Sequence, residues 1–144
     1  MKIRVLSVLT TLAISAAVIP ARAHHGTLVS YDLQQQWTAQ ATVVEFRYVN
    51  PHVQLYFDVK NKDGQVTHYN GEMLPNPAQL IANGWSRKRS AEVLQAGTLV
   101  TVTAAPARVG GNVVLVTKIL NDKGQEILGT GLPITGTPAP GAAR

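Results

Sequence analysis

The stretch from Val53 to Lys60 constrains the fold more than any other part of the chain. Val53, Leu55, Phe57 and Val59 alternate with Gln54, Tyr56, Asp58 and Lys60. Successive side chains of a strand point to opposite faces, so this period of two describes a strand with one face in a core and the other toward water. Asn61-Lys62-Asp63-Gly64 follows as a turn, with a glycine where positive φ is needed. Gln65 to Met73 then returns as a weaker strand, because it carries His68, Asn70 and Gly71. Upstream, Trp37 to Tyr48 is rich in Thr, Val and aromatic residues and predicts a long first strand. Asn50-Pro51 ends it, since proline has no N–H to give to a ladder.

The period changes after Met73. Asn76 can cap a helix, Pro77 suits its first position, Leu80 and Ile81 are expected to point inward, and Asn83-Gly84 is a stop. This predicts one short helix of two turns. Leu99 to Ala105 and Asn112 to Leu120 are β-prone runs joined at Gly110-Gly111-Asn112, and Asp122-Lys123-Gly124 closes the second, with a brief return at Gln125 to Leu128. The expected class is all-β with one short helix, in the order β-β-β-α-β-β. That is the order of a small five-stranded OB-like β-barrel, a split β-sandwich being the alternative. The chain has no Cys, so the core must hold without disulfides, and closing a barrel would remove the open edges.

The two ends read differently from this domain. Lys2 and Arg4 precede an apolar stretch from Val5 to Pro20, and Ala21-Arg22-Ala23 offers small residues at −3 and −1 of a cleavage site after Ala23. The stretch is shorter than the roughly 20 residues of a membrane span, so residues 1–23 are expected to be a cleaved signal peptide and the protein periplasmic or secreted. The absence of Cys excludes a lipoprotein. Lys2, Arg4 and Arg22 would leave with the leader, so thirteen basic residues become ten against eight acidic ones and the net charge falls from +5 to +2. Such a balance does not favour nucleic acid as a partner, and no membrane span remains after signal removal. Residues 24–36 are taken as an N-terminal segment and 37–128 as the barrel domain. Residues 129–144, mostly Gly, Thr, Pro and Ala, are expected to be a disordered tail.

Four segments together resemble the bacterial exported proteins of domain of unknown function family 6152. They are Ala23-His24-His25, Asn50-Pro51-His52-Val53, Gly84-Trp85-Ser86-Arg87, and Ala96-Gly97-Thr98-Leu99-Val100-Thr101-Val102. The resemblance covers residues 23 to 128 and implies export and a common architecture. It implies no activity.

The sharpest chemical feature is the expected mature terminus. Cleavage after Ala23 would free the α-amine of His24, whose ordinary pKa of about 8 lets it lose a proton to a metal near neutral pH. That amine and Nδ1 of the same residue can chelate one ion. A third nitrogen would complete an arrangement resembling the histidine brace of exported copper proteins, and nitrogen donors favour Cu(II) over zinc. His52, at the break after the first strand, is the first candidate for the third ligand. His25 could bind only by bending the backbone around the ion. Glu72 is a candidate oxygen ligand or hydrogen-bond partner behind the ligands, and His68 is the weaker candidate on the same strand face. The competing reading is a solvated terminus, a His52 that satisfies turn backbone, and a surface His68.

Other constellations are poorer. The sequence has no Gly-rich phosphate loop before a helix, no HExxH or CxxC, and no GxSxG. Arg87-Lys88-Arg89 is a basic run expected in a solvated loop past the helix. Tyr56 and Tyr69 are expected on the solvent face, and Trp37, Phe46, Phe57 and Trp85 in packing. The functional expectation is therefore a metal-binding module, copper favoured as cofactor, acting as carrier or accessory factor and not as an enzyme. The alternative is a non-metal module binding an exported protein, peptide or glycan on the barrel face. A copper oxidase on the same terminus is the weakest of the three, because no catalytic residue can be named.

Overall fold

In a computed structural model of the protein, residues 27–129 and 137–138 are described. The leader with its junction at Ala23, His24, His25 and all of residues 130–136 and 139–144 lie outside them. Helix α1 is a single turn, Thr27–Ser30, followed by a 3-10 turn at Leu33–Gln35 capped by Asp32. Strands β1 (Trp37–Arg47), β2 (Gln54–Lys60) and β3 (Val66–Glu72) come next. Helices α2 (Pro77–Ala82) and α3 (Arg87–Val93) separate them from β4 (Leu99–Pro106), β5 (Val113–Leu120) and β6 (Glu126–Gly129). A two-residue strand, β7, spans Thr137–Pro138 and runs parallel to Trp37 and Thr38.

Five strands close into a barrel in the order β1-β2-β3-β5-β4 and back to β1. Every seam is antiparallel except β3–β5, which is parallel through Asn70↔Val113 to Glu72↔Leu115. Strand β1 closes the ring by serving two neighbours. Its first half pairs with β4 and its second with β2, and Thr42 stands opposite both Leu99 and Asp58. A bulge between Val43 and Glu45 re-aims the strand where the change of partner occurs.

The period-two pattern decides which side chains fill the barrel. Val53, Leu55, Phe57 and Val59 are all buried, as their alternation predicts, with Ala39, Ala41 and Val43 of β1 and Val100, Val102 and Ala104 of β4. Phe57 stacks on Tyr69, with ring centroids 5.4 Å apart, and Trp37 tilts against Tyr69 at 5.1 Å. Tyr69 is therefore not on the solvent face as expected. Its ring closes over the inner aromatics, and burial raises its hydroxyl pKa above the ordinary value. Gly71 is required by close approach: a Cβ there would lie 2.5 Å from Val116 Cγ2 and 3.0 Å from the Leu55 carbonyl oxygen.

The linker between β3 and β4 holds two helices where one was expected. The first is the expected one: Asn76 and Gln79 form a reciprocal capping box, and Gly84 leaves it at φ +75°. Ile81 is exposed, however, and Leu80 alone of that pair enters the core, because six residues turn only one narrow face inward. The second helix takes up the basic run that was expected in a loop. Ser86 caps it by accepting from the Arg89 N–H, and Trp85 and Leu94 anchor its ends in the core. The buried indole of Trp85 donates to Ser90 Oγ at 2.6 Å.

A second, smaller apolar cluster lies outside the barrel wall. Tyr31 packs with Ala105, Ala107 and Leu115, whose side chains point away from the barrel interior. The N-terminal segment is stitched down there by the Asp32 N–H to Pro106 O and the Arg108 N–H to Ser30 O, both 2.9 Å. It forms a strap across the β4–β5 hairpin.

Candidate metal half-site at the barrel rim

The site starts from the β2–β3 ladder. Gln54 stands opposite Glu72, and the Met73 N–H donates to Val53 O, so the ladder continues one step past the strand ends. That register sets His52 beside Leu74 and diagonal to Glu72 on one face of the hairpin. His52 Nδ1 lies 3.0 Å from the Leu74 carbonyl oxygen. A carbonyl only accepts, so Nδ1 carries the hydrogen of this bond, and whenever the ring is neutral the lone pair falls on Nε2.

That nitrogen faces Glu72 Oε1 at 3.6 Å. A proton on Nε2 would make this contact an ion pair, and with the ring neutral the two acceptors could share a cation. The two atoms are near enough for one ion to reach both, so His52 Nε2 and Glu72 Oε1 would be the residues' contribution to a bound metal. Both side chains are partly exposed, 28 % for His52 and 27 % for Glu72, which leaves the position open to an incoming ion. The other carboxylate oxygen is already engaged: the Tyr31 hydroxyl donates to Glu72 Oε2 at 2.9 Å. Burial, and after it the hydrogen bond and negative charge of Glu72, raises the Tyr31 hydroxyl pKa well above its ordinary value, so the group stays a donor.

Of the residues singled out from the sequence, His52 and Glu72 are brought together. His68 is not part of the pair: it is exposed and bonded to Asp58 across the β2–β3 ladder. Among the described residues no group of three or more His, Cys, Asp or Glu side chains comes together. Among the described residues the pair therefore offers two donor atoms, His52 Nε2 and Glu72 Oε1, and the candidate ligands His24 and His25 lie outside those residues. Sequence reasoning missed the bond from Tyr31 to Glu72. Nothing in a single sequence signals a contact between residues 41 positions apart.

The neighbouring surface is held by aromatic and basic residues. The Tyr48 hydroxyl lies 3.0 Å from the carbonyl oxygens of both Pro77 and Trp85, and Arg87 donates to Tyr48 O at 2.7 Å. Arg89 lies over the Trp85 ring at 4.5 Å and Arg47 over Tyr56 at 4.5 Å. These contacts fasten the helical pair to the segment that leads into Asn50-Pro51-His52. A shallow depression elsewhere, lined by Gln40, Thr101, Asn121 and Asp122 among others, has a single ionisable group in its lining and no set of donors.

Residues 12–116 match a family of unknown function, DUF6152. The chain belongs to this family. The DUF6152 match runs from before the expected cleavage junction into β5 and includes His24, Tyr31, His52 and Glu72. No curated protein matches the chain, and no solved structure does. Arg87, the last residue of Gly84-Trp85-Ser86-Arg87, bonds to Tyr48, two residues before the Asn50-Pro51-His52-Val53 segment. No helix among the described residues is long and apolar enough to cross a membrane.

Proposed function

We propose that this DUF6152 protein is an exported periplasmic module that holds one copper ion between its processed N-terminus and the rim of an OB-like barrel. It would act as a carrier or accessory factor. The observation that carries the reading is the placement of the His52 ring: Nδ1 lies 3.0 Å from Leu74 O, and Nε2 is aimed at Glu72 Oε1. The OB-like assignment is supported by the ring order, the parallel β3–β5 seam and the helices between β3 and β4.

Chain length supports the participation of His24. Tyr31 sits at Glu72, and α1 spans about 6 Å at 1.5 Å per residue. The three links from Thr27 back to His24 add a reach of at most about 10 Å. His24 would give its amine and Nδ1, His52 its Nε2, and Glu72 an oxygen. His25 would give a further nitrogen only by bending the backbone. Copper bound there would supply a redox-capable or transferable ion; the residues on this chain supply orientation and a solvent opening.

The test is a Cu(II) titration against a competing chelator, with protein processed to begin at His24 and protein carrying an extra N-terminal residue. The processed form should bind one Cu(II) far more tightly, because an added residue turns the amine into an amide. Equal binding by both forms overturns the reading. The Arg47–Tyr56 pair at the surface would then favour the second reading, a module that binds an exported protein, peptide or glycan.

A further inference from the structure

We propose that Tyr31 is the positioning residue of this metal site: it holds Glu72 Oε2 so that Oε1 is turned toward His52 for a cation, and it ties occupancy of the site to docking of the N-terminal strap. The inference rests on the copper reading above and goes beyond it by giving the strap a task.

A glutamate at a strand end turns freely about its terminal torsions and would present either oxygen, or both, to an ion. Here one oxygen is held. The carboxylate can only accept, so the Tyr31 hydroxyl is the donor, at 2.9 Å from Oε2. Tyr31 is itself fixed, being 5 % exposed and packed on Ala105, Ala107 and Leu115, with a β-bridge to Ala107. Its flanking backbone is bonded to the β4–β5 hairpin on both sides, through Ser30 O and the Asp32 N–H. Arg108 adds an ion pair to Asp32 at 3.7 Å. The ring therefore reports the strap's position to the carboxylate, and through Oε1 to the face of His52.

Coupling of this kind is reciprocal. If a docked strap orients Glu72 for an ion, an ion on Glu72 stabilises the docked strap. Binding would then depend on Tyr31 although Tyr31 does not touch the ion.

The experiment uses the protein processed at His24, with Cu(II) as probe, and compares Tyr31→Phe and Glu72→Gln. Tyr31→Phe keeps the packed ring and should weaken Cu(II) binding by about 10–100-fold, the usual effect of losing a hydrogen bond behind a metal ligand. The electron paramagnetic resonance spectrum of its copper-saturated form should differ from that of the unsubstituted protein. Adding copper should slow amide exchange at Asp32 and Arg108 in the unsubstituted protein and leave it unchanged in Tyr31→Phe. Glu72→Gln keeps an acceptor for Tyr31, so its metal-free exchange at those amides should match the unsubstituted protein while its Cu(II) affinity falls. Equal affinity of Tyr31→Phe, or a lower affinity with an unchanged spectrum, overturns the proposal. If the unsubstituted protein binds copper no better than the N-terminally extended form, the copper reading falls and takes this one with it. If it binds copper and Tyr31→Phe binds it equally, this proposal alone falls.

Discussion

Nε2 of His52 faces Oε1 of Glu72 across 3.6 Å, while Nδ1 of the same ring is occupied by the carbonyl of Leu74. One imidazole nitrogen is thus structural and the other is presented. His52→Ala should weaken Cu(II) binding and leave the barrel folded, whereas His68→Ala, which removes only the pairing to Asp58, should leave copper binding unchanged. Affinity should fall as the pH is lowered, because protons compete for the same nitrogens. A chelator competition series on the variants at several pH values checks all three outcomes.

Phe57 should be the costliest of the strand residues to truncate. It is fully buried and stacked on Tyr69, so Phe57→Ala should destabilise by about 3–5 kcal/mol. Tyr56 lies on the other face of β2, half-exposed under Arg47, and Tyr56→Ala should cost far less. Urea denaturation midpoints for the two variants measure the difference.

Gly71 should tolerate no side chain. Gly71→Ala would press a methyl group on Val116 and on the Leu55 carbonyl, and neither has room to move inside a closed ring. The expected loss is about 1–3 kcal/mol. Gly84→Ala is the contrasting case: its Cβ would meet nothing, so any cost there comes from the positive φ of +75° alone. Thermal unfolding of both variants separates crowding from backbone conformation.

Alkaline stability should report on Tyr31. Its hydroxyl pKa is raised in the folded protein, first by burial and then by Glu72. The stabilisation linked to that proton is complete below the unfolded value of about 10 and is lost as pH rises through the folded value. Stability should therefore decline from about pH 10 upward, and more gently in Tyr31→Phe. Tyr69, also raised by burial, retains part of the slope in that variant. Denaturation midpoints measured across the alkaline range test the sign.

Much of the barrel was legible because its strands are short-range patterns. The alternation from Val53 to Val59 named four buried residues, and the Asn61–Gly64 turn fixed the β2–β3 register. With the register fixed, His52 and Glu72 fall on one face of a hairpin, so their proximity was readable in outline. The second helix was missed because its stabilising features are a single cap at Ser86 and two anchors, Trp85 and Leu94, whose burial depends on the barrel beneath. Tyr69 was misplaced for a similar reason. A tyrosine at an even position of a half-polar strand reads as exposed until Trp37, far earlier in the chain, is known to lie against it. Tyr31 is the extreme case, since its role depends wholly on where the β4–β5 hairpin ends.

The shared position of Thr42, opposite both Leu99 and Asp58, has a kinetic consequence. Strands β1, β2 and β3 are consecutive hairpins and can pair early. The β1–β4 and β3–β5 seams join residues far apart in the chain, and each must wait for a large loop to close. Until β4 arrives, the first half of β1 lacks its main ladder partner, and the inner faces of three strands remain wetted. Closure of these two long-range seams is therefore expected to be the rate-limiting step of folding. Substitutions in the β4–β5 hairpin should slow folding, whereas those in the Asn61–Gly64 turn should act mainly through the early meander.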